Sequence, residues 1–377
     1  MVTVTPYIPK NITVHLGAPD ASAANVTVPF IDYVKNVASS EIYPTWERSA
    51  LTANILAIVS FALNRFYTEF YRSRGYPFDI TSSTAIDQKY IYGRNIFGSI
   101  SQLVDTLFND YLRRKTFVEP LAAQFCNGTT VTCDGLSQWG SQSLAQQGQN
   151  AIQILRRYYG NNIEIVNDAP VRGYTPSYPG SPLRRGASGP KVVQAQVMLD
   201  RVARSYPAIA RISPIDGIFG SQTESSVRTF QRIFNLSVDG VIGQATWYQL
   251  VRLYVGINRL TELNSQGQTF YGVSWQAPSN LSSGSTGQKV SQLQYMLNVV
   301  SEFVPSVPSV TQDGIFGPAT QRSVLAYQRF AGLTVDGIVG PATWDSLYNR
   351  VSGILSENEL RKLQTPSGVL QLGDTDF

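Results

Sequence analysis

The sequence of 377 residues predicts a multidomain fold, an N-terminal α/β (α+β) domain followed by two small all-α modules of three helices each. The length is the first observation, since a single hydrophobic core rarely grows beyond about 250 residues. The second is an internal repeat: Asp216-Gly-Ile-Phe-Gly returns 97 positions later as Asp313-Gly-Ile-Phe-Gly. The third is a stretch with four prolines, residues 170–182, which separates the repeats from an unlike N-terminal half.

The composition indicates a globular protein with a polar but weakly charged surface. Hydrophobic residues make up 43% of the chain and charged residues 15%. Such a surface fits a carbohydrate-facing protein outside the cytosol better than a nucleic-acid binder. The net charge of +4 lies in residues 171–377. This charge weakly favours an anionic polymer as the partner of the repeats. Because no basic patch is interleaved with aromatic residues, nucleic acid is not an expected partner.

Neither a signal peptide nor a membrane span is expected. The start of the chain, Met1-Val-Thr-Val-Thr-Pro, lacks a charged segment and a long apolar core. The most apolar run, residues 50–63, is too short for a bilayer and contains Thr52, Asn54 and Ser60. This run is therefore predicted to be part of a buried helix.

Hydrophobic periodicity predicts the elements of the first domain. They are strands at residues 12–16 and 26–30, helices at 45–74, 100–114 and 141–159, and a strand at 163–166. Thr45 is the expected cap of the first helix, Ser99 the cap of the second, and Gly75 the stop signal after the first. Apolar residues nearly encircle the first helix, so it is the expected centre of the core.

The two cysteines, Cys126 and Cys133, lie in a loop rich in Gly and Thr. They could close a local disulfide or remain two buried thiols, and the sequence leaves both open. With His15 as the single histidine, a structural zinc site is not expected. No other metal and no cofactor is predicted.

Each repeat has the same order of parts: a helix, the Asp-Gly-Ile-Phe-Gly turn, a second helix, a second Asp-Gly turn, and a third helix opening at Thr246-Trp or Thr343-Trp. The predicted boundaries are 1–170 for the first domain, 171–183 for a proline-rich linker, 184–258 for module 1, 259–283 for a second linker, 284–352 for module 2 and 353–377 for a C-terminal tail.

The repeats resemble the peptidoglycan-binding type 1 module, over residues 184–255 and 284–350. The shared pattern is Gly-x-x-Val-x-x-Leu/Val-Gln, Asp-Gly-Ile-Phe-Gly, Tyr/Phe-Gln and Asp-Gly-x-x-Gly-x-x-Thr-Trp. This resemblance implies binding of glycan strands or stem peptides. The glycines, Phe219, Phe316, Trp247 and Trp344 are expected to build the module, and the resemblance does not indicate which side chains contact a ligand.

One acidic residue of the first domain has apolar neighbours: Glu41 lies beside Ile42, Tyr43, Pro44 and Trp46. Apolar surroundings disfavour the charged form of a carboxyl group, which would suit a general acid. The alternative from pattern alone is an exposed glutamate in a turn before a helix.

The segment around Glu41 resembles Val-Val-Ala-Gly-Glu-Met-Pro-x-x-Trp of the SpoIID/LytB family, which includes lytic transglycosylases acting on spore and septal peptidoglycan. Supporting matches are Ser49-Ala-Leu-Thr-Ala-Asn, Asp79-Ile-Thr-Ser-Ser-Thr-Ala-Ile-Asp-Gln-Lys-Tyr and Gly135-Leu-Ser-Gln-Trp-Gly. The resemblance implies that Glu41 is the catalytic acid.

The same resemblance suggests sugar contacts at Asp87, Gln88, Tyr90, Ser137 and Gln138, with loop hydrogen bonding or core packing as their alternative roles. Asp32 and Asp87 are the candidate partner carboxylates that a hydrolase would need.

Three departures from the family weaken the catalytic interpretation. The Lys and Arg on the helix after the glutamate are replaced by Thr52 and a residue near Val59, and a Cys/Cys zinc pair near residues 79–90 is missing. The Gly-His-Gly before the Ser-Gln motif is replaced by Val131-Thr-Cys-Asp.

The expected function is therefore a lytic transglycosylase that cleaves the MurNAc–GlcNAc bond of peptidoglycan and leaves a 1,6-anhydro-muramic end. The domain combination is similar to that of clostridial spore cortex-lytic enzymes of the SleC type, so the expected location is spore cortex or coat, or cell wall. The main alternative is a non-catalytic wall protein or amidase modifier, and a phage-derived lysin component is a third. The expected partners are peptidoglycan glycan strands.

Overall fold

The computed structural model describes residues 6–268 and 277–354. Their buried apolar side chains form three hydrophobic cores, drawn from residues 7–169, 183–260 and 281–351, and the third core also includes Ile218. The chain start, the middle of the predicted second linker and the predicted tail beyond Ile354 lie outside the described residues.

The first domain is a mixed α/β domain. Its strands are β1 (Ile8–Pro9), β2 (Asn11–His15), β3 (Asn25–Pro29), β4 (Ile80–Thr81), β5 (Tyr111–Arg114), β6 (Phe125–Cys126), β7 (Leu136–Ser137), β8 (Ile163–Val166) and β9 (Val171–Arg172). Its helices are α1 (Phe30–Glu41), α2 (Arg48–Tyr67), α3 (Gly98–Asp105), α4 (Gln138–Gln146) and α5 (Ala151–Tyr159), with a 3₁₀ helix at Arg72–Arg74.

The strands form small sheets on the surface of the helical core. β2 pairs antiparallel with β3 and parallel with β4, and β5 pairs antiparallel with β8. β1 pairs parallel with β9, and β6 pairs parallel with β7. The strand expected at residues 163–166 and those expected at 12–16 and 26–30 are all confirmed, the last two shifted by one residue.

Helix α2 is the centre of the first domain, as its sequence predicts. It packs against α1, α3, α4, α5 and β5. By length and composition the stretch 48–74 could cross a bilayer, but 89% of its most apolar window is buried inside the protein. Burial on all sides is what the core helix of a domain shows.

The predicted boundaries of the helices were wrong in several places. The N-cap of α2 is Glu47, not Thr45, and α2 ends at Tyr67, so Gly75 follows the separate 3₁₀ helix. The N-cap of α3 is Phe97, not Ser99. Helix α3 ends at Asp105, and the end of the predicted helix 100–114 is strand β5, because its backbone pairs with β8. The predicted helix 141–159 is divided into α4 and α5, since Gly148 has φ 84° and Asn150 forms a capping box with Gln153.

The predicted proline-rich linker is less irregular than its composition suggests. Val171 and Arg172 form β9 against β1, ahead of most of the prolines. Further along, the hydroxyl and the backbone N–H of Ser177 donate to the Glu69 carboxylate, and the Lys191 ammonium donates to the Ser177 carbonyl at 2.6 Å. The linker is therefore held between the first domain and module 1.

The two modules are all-helical, each with three helices as predicted. Module 1 contains α6 (Pro190–Ser205), α7 (Ser221–Ile233) and α8 (Gln244–Ile257), and module 2 contains α9 (Gln288–Ser301), α10 (Pro318–Ala331) and α11 (Pro341–Ile354). The four repeat aromatics Phe219, Trp247, Phe316 and Trp344 are at most 1% exposed. They build the cores of the modules, as expected.

Each Asp-Gly turn is held by a glutamine from a neighbouring helix, an arrangement here called the glutamine clasp. In the first one, Gln196 donates to the Asp216 carboxylate at 2.9 Å and accepts from the Gly217 N–H at 2.8 Å. Three further glutamines make the same contacts with their turns: Gln231, Gln294 and Gln328. The glycines have φ between 70° and 75°, which favours glycine, so these motif residues are explained by folding alone.

The second predicted linker also contacts the first domain. Asn64 donates to the Leu260 carbonyl at 2.8 Å, and Glu119 accepts from the Ser265 hydroxyl at 2.8 Å and from the Gln268 N–H at 3.1 Å. Since both segments that flank module 1 are bound to the first domain, the module is docked against it.

The two cysteines form a disulfide, so of the two possibilities left open the local bridge is the one observed. The Cys126–Cys133 loop joins β6 to β7. Within it, the Asn127 side-chain oxygen accepts from the N–H groups of residues 129–131. The backbone carbonyl of Asn127 accepts from the Trp139 N–H at 3.2 Å.

Candidate active site

Glu41 is the last residue of α1, a helix that the sequence did not predict. The helix stops there because Ile42 is extended and Pro44 follows. The side chain is half-buried, and both of its oxygens are bound by the protein. Oε1 accepts from the Lys89 N–H at 2.9 Å, and Oε2 accepts from Gln138 Nε2 at 3.3 Å. Three segments that are distant in sequence therefore converge on this carboxylate.

The position of Gln138 follows from the start of α4. Ser137 caps this helix by accepting from the Gly140 N–H at 3.0 Å. A Cβ on Gly140 would lie 2.1 Å from the Tyr158 hydroxyl, and one on Gly135 would lie 1.9 Å from the Gln124 carbonyl. Glycine is therefore needed at position 135, where the neighbour is backbone, whereas a side chain at 140 would displace the Tyr158 and Ser137 side chains. Ser137 has the role of a helix cap at this turn.

The segment of residues 87–90 reaches Glu41 through its backbone. The Asp87 side chain is fully buried and accepts from Arg65 at 2.9 Å, from Tyr71, and from the Thr81 hydroxyl at 2.7 Å. The oxygens of Asp87 are thus occupied by partners inside the protein. Its role is hydrogen bonding in the interior, which was the alternative to contact with a sugar.

Gln88 and Tyr90 are also turned inward. Gln88 accepts from the Tyr33 hydroxyl at 2.8 Å and donates to the Ile58 carbonyl at 3.1 Å. Tyr90 is 8% exposed and stacks on Tyr33 with 5.6 Å between ring centroids. These contacts hold the backbone between Gln88 and Tyr90 in place, so that the Lys89 N–H can donate to Glu41.

Burial keeps the phenol beneath this segment neutral. The pKa of Tyr33 is raised well above its usual range, first by burial and then by the carboxylates of Asp87 and Glu41. A neutral phenol retains its proton, and the Tyr33 hydroxyl can therefore donate to Gln88.

Beside Glu41 lies a group of three rings, here called the aromatic platform: Tyr43, Trp46 and Trp139. Trp139 contacts both others, with centroids 5.0 Å from Trp46 and 5.6 Å from Tyr43. Trp46 is 8% exposed, but Tyr43 is 56% and Trp139 45% exposed. The sequence interpretation did not select Trp139, although it follows Gln138 directly inside a quoted motif. Exposed rings at this position offer flat apolar faces to a ligand.

Neither of the two candidate residues, Asp32 and Asp87, is positioned to act with Glu41 as the second carboxylate of a hydrolase. Asp32 is in the first turn of α1, nine residues earlier, which corresponds to about 13 Å along the axis and half a turn of rotation. Asp87 is buried against Arg65. The carboxyl separations that glycoside hydrolysis uses are about 5 to 9.5 Å.

The repeats of this chain are similar to parts of known proteins. The peptidoglycan binding domain family matches residues 188–250 and 286–347. The zinc D-Ala-D-Ala carboxypeptidase of Streptomyces albus G is 43% identical over 71 residues, which cover 19% of this chain and 26% of that protein. The N-acetylmuramoyl-L-alanine amidase CwlM of Mycobacterium tuberculosis is 32% identical over 156 residues, 40% of this chain and 34% of that protein.

Among solved structures, the SleB N-terminal domain is 35% identical, covering 20% of this chain and 93% of that chain with a TM-score of 0.17. The chain spans about a quarter to a third of the length of the curated relatives it matches. The family match lies outside residues 1–170, so the SpoIID-like interpretation of the first domain, and the likeness to SleC, stay predictions. Residues 188–250 and 286–347 are two peptidoglycan-binding domains.

Proposed function

We propose that this chain is a peptidoglycan-cleaving enzyme, a lytic transglycosylase in which the first domain cuts the glycan strand and the two modules hold the wall. The observation that supports it most is the environment of Glu41. A single half-buried carboxyl group is oriented by two hydrogen bonds and flanked by exposed aromatic rings. The family match of the modules supports the substrate class.

A single acid/base suits transglycosylation better than hydrolysis. Glu41 donates its proton to the oxygen that links muramic acid to N-acetylglucosamine, and the bond from muramoyl C1 to that oxygen breaks. The resulting carboxylate then takes the proton of the muramoyl 6-hydroxyl, whose oxygen bonds to C1 and closes the 1,6-anhydro ring. No water enters, so no second carboxylate is needed, in agreement with the positions of Asp32 and Asp87.

The neighbours of Glu41 have distinct roles in this proposal. The Tyr43 and Trp139 rings stack on sugar faces, and Gln138 holds the carboxylate in place. Ser137, Asp87, Gln88 and Tyr90 position the segments that deliver Gln138 and the Lys89 N–H, rather than contact the glycan.

Product analysis after Glu41→Gln is the direct test. Purified peptidoglycan is incubated with the wild-type chain and with the variant, and the soluble fragments are identified by mass spectrometry. We expect 1,6-anhydro-muramic ends, lighter than hydrolysed ends by one water, from the wild type. Loss of a general acid costs about 10²–10⁴-fold in rate, so these ends should fall by at least a hundredfold in the variant.

Glu47→Gln is the matched control, because Glu47 is exposed six residues further on and undergoes the same change of charge. It should cleave as the wild type does. Reducing muramic ends in place of anhydro ends would indicate a hydrolase, and undiminished cleavage by Glu41→Gln would exclude Glu41 as the acid.

A non-catalytic role as a wall-binding protein or amidase modifier is the second candidate. The observation that favours it is the loss of two positive side chains that the resembling family has after its glutamate: Thr52 is uncharged, and the second position falls near Val59, where α2 is fully buried. In that case the wild-type chain would bind peptidoglycan and release no fragments.

The location proposed is the cell wall or, from the domain combination, the spore cortex or coat. Binding to both materials can be compared by sedimenting the chain with purified cortex and with vegetative wall.

A further inference from the structure

The two modules enclose a cleft that neither forms alone. It has a volume of about 830 Å³, within the range of roughly 300–1,000 Å³ typical of ligand sites. One wall comes from module 1, around Arg185, Asp216 and Gln222, and the other from module 2, around Asn298 and Glu302.

Direct contacts at the base of the cleft hold the modules together. The Ser291 hydroxyl donates to the buried Asp216 carboxylate at 3.1 Å, and Gln288 donates to the Ile215 carbonyl at 2.5 Å. The Tyr295 hydroxyl donates to the Gly186 carbonyl, and Ile218 of module 1 is part of the core of module 2. The first Asp-Gly turn is therefore inserted into the second module, and the corresponding Asp313 is exposed.

The lining of the cleft is polar and carries both signs of charge. Arg185 is an exposed cation on one wall, and Glu302 and Asp313 are exposed anions on the other. Amides and hydroxyls lie between them: Gln222, Asn298, Gln312, Ser213 and Thr311. The rings that border it, Phe219 and Tyr295, are 1% and 5% exposed, so neither presents a face to a sugar.

We propose that this cleft binds the stem peptide of peptidoglycan, with Arg185 pairing a peptide carboxylate and Glu302 pairing the amine of the diamino acid. A short peptide with charges of both signs and several amide groups matches the lining, whereas a glycan strand would use exposed rings of the kind found beside Glu41. This inference rests on the wall-binding part of the proposed function.

A consequence is that the repeat provides one composite site at the junction instead of two independent copies on a tether. Tethered copies raise affinity through effective concentration, and each copy retains its own affinity. In a composite site both walls are required, so a change on either wall weakens binding in full.

Isothermal titration of the full chain with a soluble stem peptide, L-Ala-γ-D-Glu-meso-diaminopimelate-D-Ala, tests this site. We expect one peptide per chain. Arg185→Gln and Glu302→Gln should each weaken binding by about tenfold, as loss of a charged hydrogen bond does. Arg232→Gln and Asp345→Asn are the matched controls, since both residues are exposed outside the cleft, and neither should change the affinity.

Thermal unfolding checks that the variants remain folded. Equal affinity in all four variants, or two peptides per chain, would overturn the proposal, and so would a peptide-free glycan strand that binds while the peptide does not. The result is separable from the catalytic proposal: Glu41→Gln should bind the peptide normally even if it abolishes cleavage, and Arg185→Gln should still cleave soluble glycan strands.

Discussion

At the scale of single residues, Lys191 has an unusual environment for a lysine. Its ammonium group lies between the Ser177 carbonyl, at 2.6 Å, and the ring of Trp247, 5.6 Å from its centroid. Burial lowers the pKa of Lys191 to about 7, although the nearby Glu69 carboxylate acts in the opposite direction. Burial likewise raises the pKa of Glu69, against the hydrogen bonds from Ser177.

The lowered pKa of Lys191 predicts a specific dependence of stability on pH. In the unfolded chain the lysine binds its proton up to about pH 10.4, but in the folded chain only up to about pH 7. Between these values the unfolded state binds more protons, so the free energy of unfolding rises with pH. Lys191→Met should remove this rise, which is on the order of 2–4 kcal/mol between pH 7 and 10.

Urea denaturation at pH 7, 8.5 and 10 measures the slope of the unfolding free energy against pH. A loss of stability that is the same at each pH, such as that from removing a cation near Glu69, does not change this slope. Lys115→Met, a change at an exposed lysine, should retain the wild-type slope. A variant at position 191 whose stability follows the wild type in parallel would show that the ammonium is solvated.

The residues around Glu41 show how far sequence patterns could predict the site. The resemblance selected four segments, and the structure brings three of them together, with Gln138 and the Lys89 N–H on the Glu41 carboxylate. It could not separate surface from interior, because a motif has the same sequence whether a residue such as Asp87 packs inside the protein or binds a ligand. Trp139 was missed because an aromatic residue is usually assigned to the core. Only the structure shows that this one is 45% exposed.

At the scale of elements, the glutamine clasps explain why the repeat motif is so regular. Gln231 donates to the Asp239 carboxylate at 2.7 Å and to the Val241 carbonyl at 2.9 Å, and accepts from the Gly240 N–H at 2.9 Å. Leucine at this position has a similar volume but leaves the buried Gly240 N–H without its acceptor and removes both donations to the turn. Gln231→Leu should therefore destabilise module 1 by about 1–3 kcal/mol.

Amide hydrogen exchange at Gly240 and Val241 measures this loss locally, where a multidomain chain has no single free energy of unfolding. Gln244→Leu, at an exposed first position of α8, should shift the exchange free energy by less than about 0.5 kcal/mol. Equal protection of the turn in the two variants would mean that the clasp follows from the fold and does not stabilise it.

Element prediction failed in two ways: at one place a distant contact decides the structure, and at two others a local signal was overlooked. Residues 111–114 continue a helical pattern, but pairing with β8 makes them a strand, and that partner is some fifty residues away. The division of α4 from α5 was visible locally, in Gly148 and the Asn150 capping box. Helix α1 was also visible, since Phe30, Tyr33, Val34 and Val37 have helical spacing and are all buried.

At the scale of the whole molecule, segments predicted as linkers connect the domains physically. Composition could not reveal this, because polar and proline-rich segments have the same composition whether they are bound or free. Here Ser177 joins Glu69 to Lys191, and residues 260–268 lie against the first domain. The first domain and module 1 are thus expected to present the aromatic platform and the cleft between the modules at a fixed spacing.

Protease susceptibility of the second segment tests this docking. Glu119 is 3% exposed and accepts from the Ser265 hydroxyl and the Gln268 N–H. Glu119→Ala leaves both donors unpaired and should free the segment, so trypsin should cut after Arg259 several times faster than in the wild type. Glu164→Ala is the matched control, because it removes a half-buried carboxylate that pairs with Arg113 away from the segment. Its cleavage should proceed at the wild-type rate. If Glu119→Ala is equally resistant, the remaining contacts hold the segment, among them Asn64 with the Leu260 carbonyl and Arg114 with the Leu263 carbonyl, and the docking does not depend on the glutamate.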